Sequence, residues 1–346
     1  MKCPNLSCSR SSCSNLTHVF FTNFIYTWYN SRTILNSEGV MTTSKLLLRL
    51  SISYLLLCIF IVAFILLPRE PQYISQSQFH HEVKYDFSIE AYKKKLIQFY
   101  TYVIENKGFG KAPEGITYLE LLQRYTSRSL HLIIPAFFLS LTISFMYCII
   151  EMRRRISTNK QNLSNPFGLL FTLPDFFIFI LVQYVFITLG NMYNMNLDLF
   201  GNDRWFHFIL PSIILSLYPM YYLSKVMMTI LMKEMQKDYI TTARAKGTIN
   251  SRIIRLHMLR NSLRSILSHV FISFIYLVSS LPIIELLSAY DGLGYQLIQA
   301  IKGYDDLKAI TFVIPFISII FIVKLLVDVI WQFMVGAAEG GDTSRD

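Results

Sequence analysis

The chain has 346 residues, enough for two soluble domains, but 53% of them are hydrophobic and 15% aromatic. That balance excludes an ordinary soluble protein and describes a chain that mostly lives in lipid. The formal net charge of +10 sits on Lys and Arg clustered beside apolar runs, so it reads as orientation in a membrane and not as a groove for nucleic acid.

Residues 1–40 are polar and rich in Ser, Asn and Cys, apart from a short aromatic patch from His18 to Tyr29. They fit a signal peptide poorly and are too short in apolar run to span a membrane. Cys3, Cys8 and Cys13 have four residues between neighbours, not the two of a zinc or redox pair, and Cys58 and Cys148 fall inside apolar stretches, so none reads as a ligand or nucleophile. A bilayer core of about 30 Å needs about 20 apolar residues per helix. Six windows meet that requirement: 46–67, 130–150, 168–190, 208–232, 265–287 and 309–334.

Charge then sets the orientation. Lys45 and Arg49 precede or open the first window, Arg153-Arg154-Arg155 follow the second, and a basic stretch follows the fourth. The positive-inside rule puts all three in the cytoplasm, with both termini inside and the long segment 68–128 outside. Ser88-Ile89-Glu90 opens an amphipathic helix there that carries Lys93, Lys94 and Lys95, runs through Tyr102 and ends near Gly108-Phe109-Gly110. The fold class is therefore an all-α membrane protein of about six transmembrane helices, with a long external segment between the first and second. Its parts are an N-terminal extension 1–40, a first transmembrane helix 41–67, an extracytoplasmic segment 68–128, a core 129–335 and a cytoplasmic tail 336–346.

Between the fourth and fifth windows lies the most informative stretch, from Asp238 to Leu263. Thr242-Ala243-Arg244-Ala245-Lys246 is a short helix of small and cationic residues, and Gly247 breaks it, because only Gly enters a left-handed turn without steric cost. A second helix is expected from Ile249 to Leu263, with Ile253, Ile254, Leu256, Leu259 and Leu263 at roughly helical spacing and Arg252, Arg255, Arg260 and Arg264 supplying charge. The expectation is a helix-turn-helix lying on the membrane surface.

Asp238-Tyr239, Thr242-Ala243-Arg244-Ala245-Lys246-Gly247, His257 and Leu259-Arg260-Asn261 closely resemble the cytoplasmic EAA loop of ABC importer permeases, in the form found in the dipeptide, oligopeptide and nickel transporter family. A basic juxtamembrane loop that merely obeys the positive-inside rule accounts for the charge but not for this order of residues. Further along, Thr172-Leu173-Pro174-Asp175-Phe176-Phe177 resembles the family's entry into its third span. His207-Phe208-Ile209-Leu210-Pro211 resembles the start of its fourth, and Asp291-Gly292-Leu293-Gly294 its Pro-Gly-Leu-Gly turn with Asp for Pro. The likeness runs from about Lys107 to Trp331, with Tyr118 to Leu132 as a lead-in helix to the second span. It departs at Lys107-Gly108-Phe109-Gly110, where the family's Asp is missing, and at Leu67-Pro68-Arg69-Glu70-Pro71, which replaces its Pro-Gly-Asp-Pro element.

The resemblance implies one of two membrane subunits of a bacterial inner-membrane importer, with translation starting at Met41. Its loop would be a coupling helix docked in a groove on an ATPase subunit, with small Ala243 and Gly247 allowing close approach. The implied partners are a second homologous permease subunit, two ATP-binding subunits, an extracytoplasmic solute-binding protein and membrane lipid. Peptides are the expected cargo, with nickel or a metal chelate as the alternative; a secondary transporter and a membrane sensor are the rivals from other classes. No cofactor is expected on this chain. ATP and Mg belong on the partner ATPases, since neither Gly108-Phe109-Gly110-Lys111 nor Gly340-Gly341 has P-loop spacing. The polypeptide is accordingly not expected to be an enzyme by itself.

Ionisable residues at membrane depth count as functional candidates. Glu285, late in the fifth window, precedes Gly292 and Gly294; the three are candidates for an outer gate or pathway, and the alternative for Glu285 is a carboxylate near the outer interface or tied to a neighbouring backbone. Lys324 and Asp328 are one helical turn apart and read as an ion pair that offsets its own burial. Lys225 can snorkel to the interface. His80-His81 point in different directions on a helix or strand and lack a spaced partner, so the segment reads as a solvated loop and no metal site is assigned. Pro135, Pro211, Pro219, Pro282 and Pro315 sit in or near spans, where they kink helices whose freed carbonyls find partners.

Overall fold

The computed structural model describes residues 43–67, 72–77, 80–84, 88–106, 108–112, 115–158, 173–193, 200–202 and 204–339. The expectations on residues 1–40, Met41, Pro68 to Pro71, Lys107, Thr172 and the end of the tail lie outside the described residues. The chain divides into two compact units, 1–56 and 57–346. In the first, the described residues are the beginning of helix α1 (Thr43–Ile65), where Leu48, Ile52, Leu55 and Leu56 are exposed, as a lipid-facing helix requires.

The second unit continues α1 and holds every other element. In chain order these are strands β1 (Gln72–Ser77) and β2 (His80–Lys84), then helices α2 (Ile89–Glu105), α3 (Tyr118–Thr158) and α4 (Asp175–Tyr193). A 3-10 turn (Trp205–Phe208) leads into α5 (Ile209–Met235), followed by the short α6 (Asp238–Ala245). Last come α7 (Asn250–Leu287), α8 (Leu293–Lys302) and α9 (Asp306–Glu339). Among the described residues six helices, α1, α3, α4, α5, α7 and α9, are long and apolar enough to cross a membrane, and they fall on the six predicted windows.

Three features differ from the sequence reading. The antiparallel hairpin β1–β2, in register Tyr73↔Val83 and Ile74↔Glu82, adds a strand pair to the helices of the described residues. His80 and His81 are the first two residues of β2. The lead-in helix and the second span are one helix of 41 residues, about 60 Å long and so about twice the bilayer core. The expected surface helix Ile249–Leu263 is not separate either: it is the first part of α7, with a π-helical stretch at Ile253–Leu259. Between Gly247 and Pro282 there is no Gly or Pro to end the helix, so it runs straight on into the span.

Lipid tails are as apolar as leucine, so burial alone gives little drive for spans to associate; close packing and hydrogen bonds between helices must supply it. The contact of α3 with α5 shows both. On α3, Ala136, Ser140, Ser144 and Cys148 repeat every fourth residue and are fully buried, and on α5 Ser212, Ser216 and Ser224 are buried on the same four-residue period. These small side chains let the backbones approach. Ser144 Oγ then donates to the Met220 carbonyl at 2.9 Å, Cys148 Sγ to the Ser224 carbonyl at 3.4 Å and Ser212 Oγ to the Leu132 carbonyl at 3.3 Å. Bonds of this type are worth about 0.6 kcal/mol each and up to about 2. Around this seam lie two apolar clusters. One joins Leu132, Phe179, Leu215, Leu277 and Phe312 from five spans. The other joins Met152, Leu231, Ile240, Ile254 and Met258 beneath α6.

Candidate functional site

Helix α6 projects between the ends of α5 and α7. The chain leaves α5 at Gln236, turns extended at Lys237, and makes two helical turns before Gly247. The stop is a Schellman motif: the Gly247 N–H donates to the Arg244 carbonyl at 2.9 Å and the Thr248 N–H to the Ala243 carbonyl at 3.2 Å. It requires a left-handed residue, and Gly247 has φ +73° with open space around its Cα.

The two faces of α6 differ sharply. Ile240 and Ala243 face inward onto Leu231, Ile253, Ile254 and Met258. Asp238, Thr242, Arg244, Ala245, Lys246 and Gly247 are exposed. Ala243, expected on the docking surface, is only 9% exposed; its smallness serves the close approach of α6 to this chain's own α7. The apolar stripe of α7 also shifts. Ile253, Ile254 and Met258 are buried, whereas Leu256 and Leu263 are exposed, because the π-helical stretch changes the register of the buried face. Met258 was missed although its spacing from Ile254 is helical.

A polar clamp fixes α6 at its base. The Tyr239 hydroxyl donates to Glu234 Oε1, accepts from Asn261 Nδ2 at 3.0 Å, and reaches the His257 carbonyl at 3.4 Å. Lys237 Nζ pairs with Glu234 Oε2 at 2.8 Å. Thus Asp238's neighbours Lys237 and Tyr239 tie α6 to the last turn of α5 and the first turns of α7. Burial, then the bond to Glu234, holds the Tyr239 phenol above its usual range, and the bond to Glu234 raises the Lys237 ammonium. Of the predicted residues, Tyr239, His257 and Asn261 come together here, while Arg260 remains exposed nearby. Glu234 was missed; its only local signal was the Lys three residues on.

The second predicted set forms a joint at the other end of α7. Glu285 is 0% exposed. Its Oε1 accepts from Ser129 Oγ of α3 at 2.5 Å, and its Oε2 accepts from the backbone N–H groups of Gly294 and Tyr295 at 2.7 and 2.9 Å. Ser129 Oγ in turn accepts from the Leu293 N–H at 2.7 Å. Glu285 and Ser129 therefore cap the first turn of α8, whose free N–H groups and positive dipole end suit a carboxylate. The glycines make room: a Cβ on Gly292 would lie 2.6 Å from Glu285 Oε2, and one on Gly294 would lie 2.6 Å from the Pro282 backbone.

Neighbouring groups close the joint. Arg128 Nη1 pairs with Asp291 Oδ2 at 2.7 Å and also donates to its carbonyl, and Gln296 Nε2 donates to Asp291 Oδ1 at 2.5 Å. Gln183 of α4 caps the Leu287 carbonyl at 2.8 Å, and the Gly201 N–H caps that of Ser288 at 3.0 Å. Burial holds the Tyr290 phenol high, with Glu285 adding to the effect and Arg128 opposing it. Lys324 and Asp328 form the expected pair at 2.5 Å, with Lys324 Nζ 5.5 Å from the Phe271 ring centre. Lys225 is exposed beside the Tyr221 ring. Among the described residues no group of three or more His, Cys, Asp or Glu could hold a metal.

Six candidate spans, a short polar helix clamped between two of them and a buried joint at the far end define a multi-pass helical membrane protein. The chain belongs to the binding-protein-dependent transport system inner membrane component family, whose model matches residues 161–335, and is a multi-pass inner-membrane protein. It is 32% identical over 165 residues to a Brucella abortus (strain 2308) protein named as a peptide transport system permease, covering 46% of this chain and 52% of that one. It is 29% identical over 135 residues to the glutathione transport system permease protein of Pectobacterium atrosepticum, covering 38% and 43%. With the dipeptide transport system permease protein of Escherichia coli (strain K12) it shares 30% over 129 residues, covering 37% and 38%. The chain spans about half the length, or less, of these curated relatives.

Proposed function

We propose that this chain is a transmembrane permease subunit of an ATP-driven importer for peptides, in which α6 is the element that receives the motion of an ATPase. The observation that carries the reading is the two-sidedness of α6. Its inner face and its base are locked to α5 and α7, while Thr242, Arg244, Ala245 and Lys246 stand exposed on the outer one. A helix built this way moves its own spans when something pushes on it. The family match and relatives named for peptide, dipeptide and glutathione transport support the cargo class.

The assembly comprises this subunit, a second homologous permease, two ATP-binding subunits and an extracytoplasmic solute-binding protein. α6 and both termini lie in the cytoplasm, and the segment between α1 and α3 lies outside. ATP-driven closure of the ATPases favours the outward-open arrangement because the partners bind it more tightly, which is what coupling between distant sites requires. At the outer end, Glu285, Gly292 and Gly294 act as a rigid joint that keeps α7 and α8 together when the pathway opens, so their gate role is one of positioning.

Affinity purification from native membranes in mild detergent tests the reading, comparing the parent with Ala245→Trp on the exposed face of α6. ATP-binding subunits and a second permease that co-purify with the parent, with the ATPases lost in the variant and the permease retained, are the expected result. A parent that brings down no ATP-binding subunit sinks it.

A further inference from the structure

Helix α2 has three faces where a helix between protein and water needs two. Tyr92, Leu96 and Phe99 pack against a buried cluster that holds Ile65 at the end of α1, Leu66 just after it, and Ala309 and Ile310 of α9. At about 100° per residue, Ile89, Tyr100, Ile104 and Ile97 fall together on a flank about 80° wide, and all four are strongly exposed, at 63%, 67%, 56% and 65%. Glu90, Lys94, Gln98, Thr101 and Glu105 occupy the remaining arc and are exposed as well. A solvated surface helix has no use for a flank of three isoleucines and a tyrosine, each in the open.

The place of α2 says what covers that flank. Tyr92 Oη donates to the Ala63 carbonyl at 2.8 Å, two residues from the end of α1, and Lys95 Nζ pairs with Asp306 Oδ2, at the first residue of α9, at 2.9 Å. Two spans therefore hold α2 at the depth where their apolar stretches stop. Phe60 and Phe64, on that same end of α1, are themselves 67% and 59% exposed, so lipid reaches this level. Lys93 lies within the apolar flank, where a four-carbon stem can run along apolar surface and lift its ammonium to headgroup phosphates.

We propose that α2 is an interfacial helix, seated in one leaflet of the bilayer with the flank Ile89–Ile97–Tyr100–Ile104 among the acyl chains and the arc Glu90–Lys94–Gln98–Glu105 in water. Through Tyr92 and Lys95 it joins the ends of α1 and α9, so the leaflet holds the two span ends in place. This rests only on the spans crossing a bilayer and is independent of the role of α6.

Spin labels placed singly at Ile97, Ile104, Gln98 and Glu105, in the assembled protein in nanodiscs of phosphatidylethanolamine and phosphatidylglycerol, test it. The native cysteines are first replaced in a background that retains the parental elution profile. The ratio of collision with oxygen, which partitions into lipid, to collision with a water-soluble nickel chelate is expected to be several-fold higher at 97 and 104 than at 98 and 105. Equal ratios with strong nickel contact at all four positions overturn the proposal in favour of an aqueous face. Low contact with both reagents at 97 and 104 overturns it in favour of a protein partner. If a label at 97 or 104 disturbs assembly, Ile89 and Tyr100 carry the same expectation. Because nanodiscs expose both leaflets, the outcome does not depend on which side of the membrane α2 occupies.

Discussion

Truncating Glu285 to Ala is the sharpest test of the joint between α7 and α8. The fully buried carboxylate accepts from Ser129 Oγ and from the N–H groups of Gly294 and Tyr295. Removing it takes the acceptor from the buried Gly294 N–H and the half-buried Tyr295 N–H. At about 1–3 kcal/mol per unsatisfied buried group, the loss is about 2–6 kcal/mol. Glu285→Gln keeps the shape and one oxygen for the two N–H groups, so its cost is about 1–2 kcal/mol. Read as the melting temperature of the detergent-purified complex by tryptophan fluorescence, Glu285→Ala is expected to fall by on the order of 10 °C. Gly292→Ala is expected to cost a similar amount, since its Cβ would lie 2.6 Å from Glu285 Oε2. In the Glu285→Ala background most of that second cost should vanish, because the atoms it collides with are gone. Strictly additive losses, or an unchanged melting temperature for Glu285→Ala, would falsify the assignment of the carboxylate as a cap on α8.

Two further outcomes follow from the polar contacts. Tyr239→Phe removes the hydroxyl shared by Glu234 and Asn261 and is expected to destabilise by about 1–3 kcal/mol and to lower transport more than ATPase co-purification; a variant with parental stability and uptake contradicts the clamp. The Tyr239 phenol is raised above its usual 10.0, so its contribution is complete below that pH and lost as pH rises through the raised value; Tyr239→Phe should lack that part of the alkaline loss. Lys324→Met removes the cation 2.5 Å from buried Asp328 and is expected to cost about 3–5 kcal/mol, most of it regained in Lys324→Met/Asp328→Leu because two apolar side chains need no pairing. Melting temperatures of the three proteins decide it: a double variant no better than the single removes the pair from consideration.

The spans were legible because about 20 apolar residues in a row have few other uses, and the break at Gly247 because a left-handed turn needs glycine. What local pattern could not reveal was partnership at a distance. Ser129 and Glu285 are 156 residues apart in sequence, and nothing around Ser129 marks it as the second half of a cap. The inward turn of Ala243 was hidden for a related reason: a small residue serves close approach to any neighbour, and only packing says that the neighbour is α7. The hairpin β1–β2 escaped because a pair of strands of six and five residues offers too few alternations to stand out from a polar segment.

The two halves of the site are ends of one object. α7 carries the clamp to Tyr239 at Asn261 and the cap on α8 at Glu285, and from Asn250 to Leu287 it is 38 residues without an interruption, about 57 Å of helix. On the proposed coupling role of α6, a rod of that kind would deliver its displacement to α8 with little loss, except where its hydrogen-bond ladder is already loosened. It is loosened twice, at the π-helical Ile253–Leu259 and at Pro282, next to Glu285. Of these the π-helical stretch lies between Gly247 and Asn261, so bending there would absorb motion before it entered the span. The buried packing of Ile253, Ile254 and Met258 beneath α6 is what opposes that bend. Ile254→Ala is therefore expected to uncouple, with ATP hydrolysis and subunit co-purification retained and uptake reduced several-fold, whereas Leu256→Ala on the exposed side of the same turn should leave both at parental levels. Equal losses of uptake in the two variants would mean that the stretch serves as a docking surface and not as the stiff root of the rod.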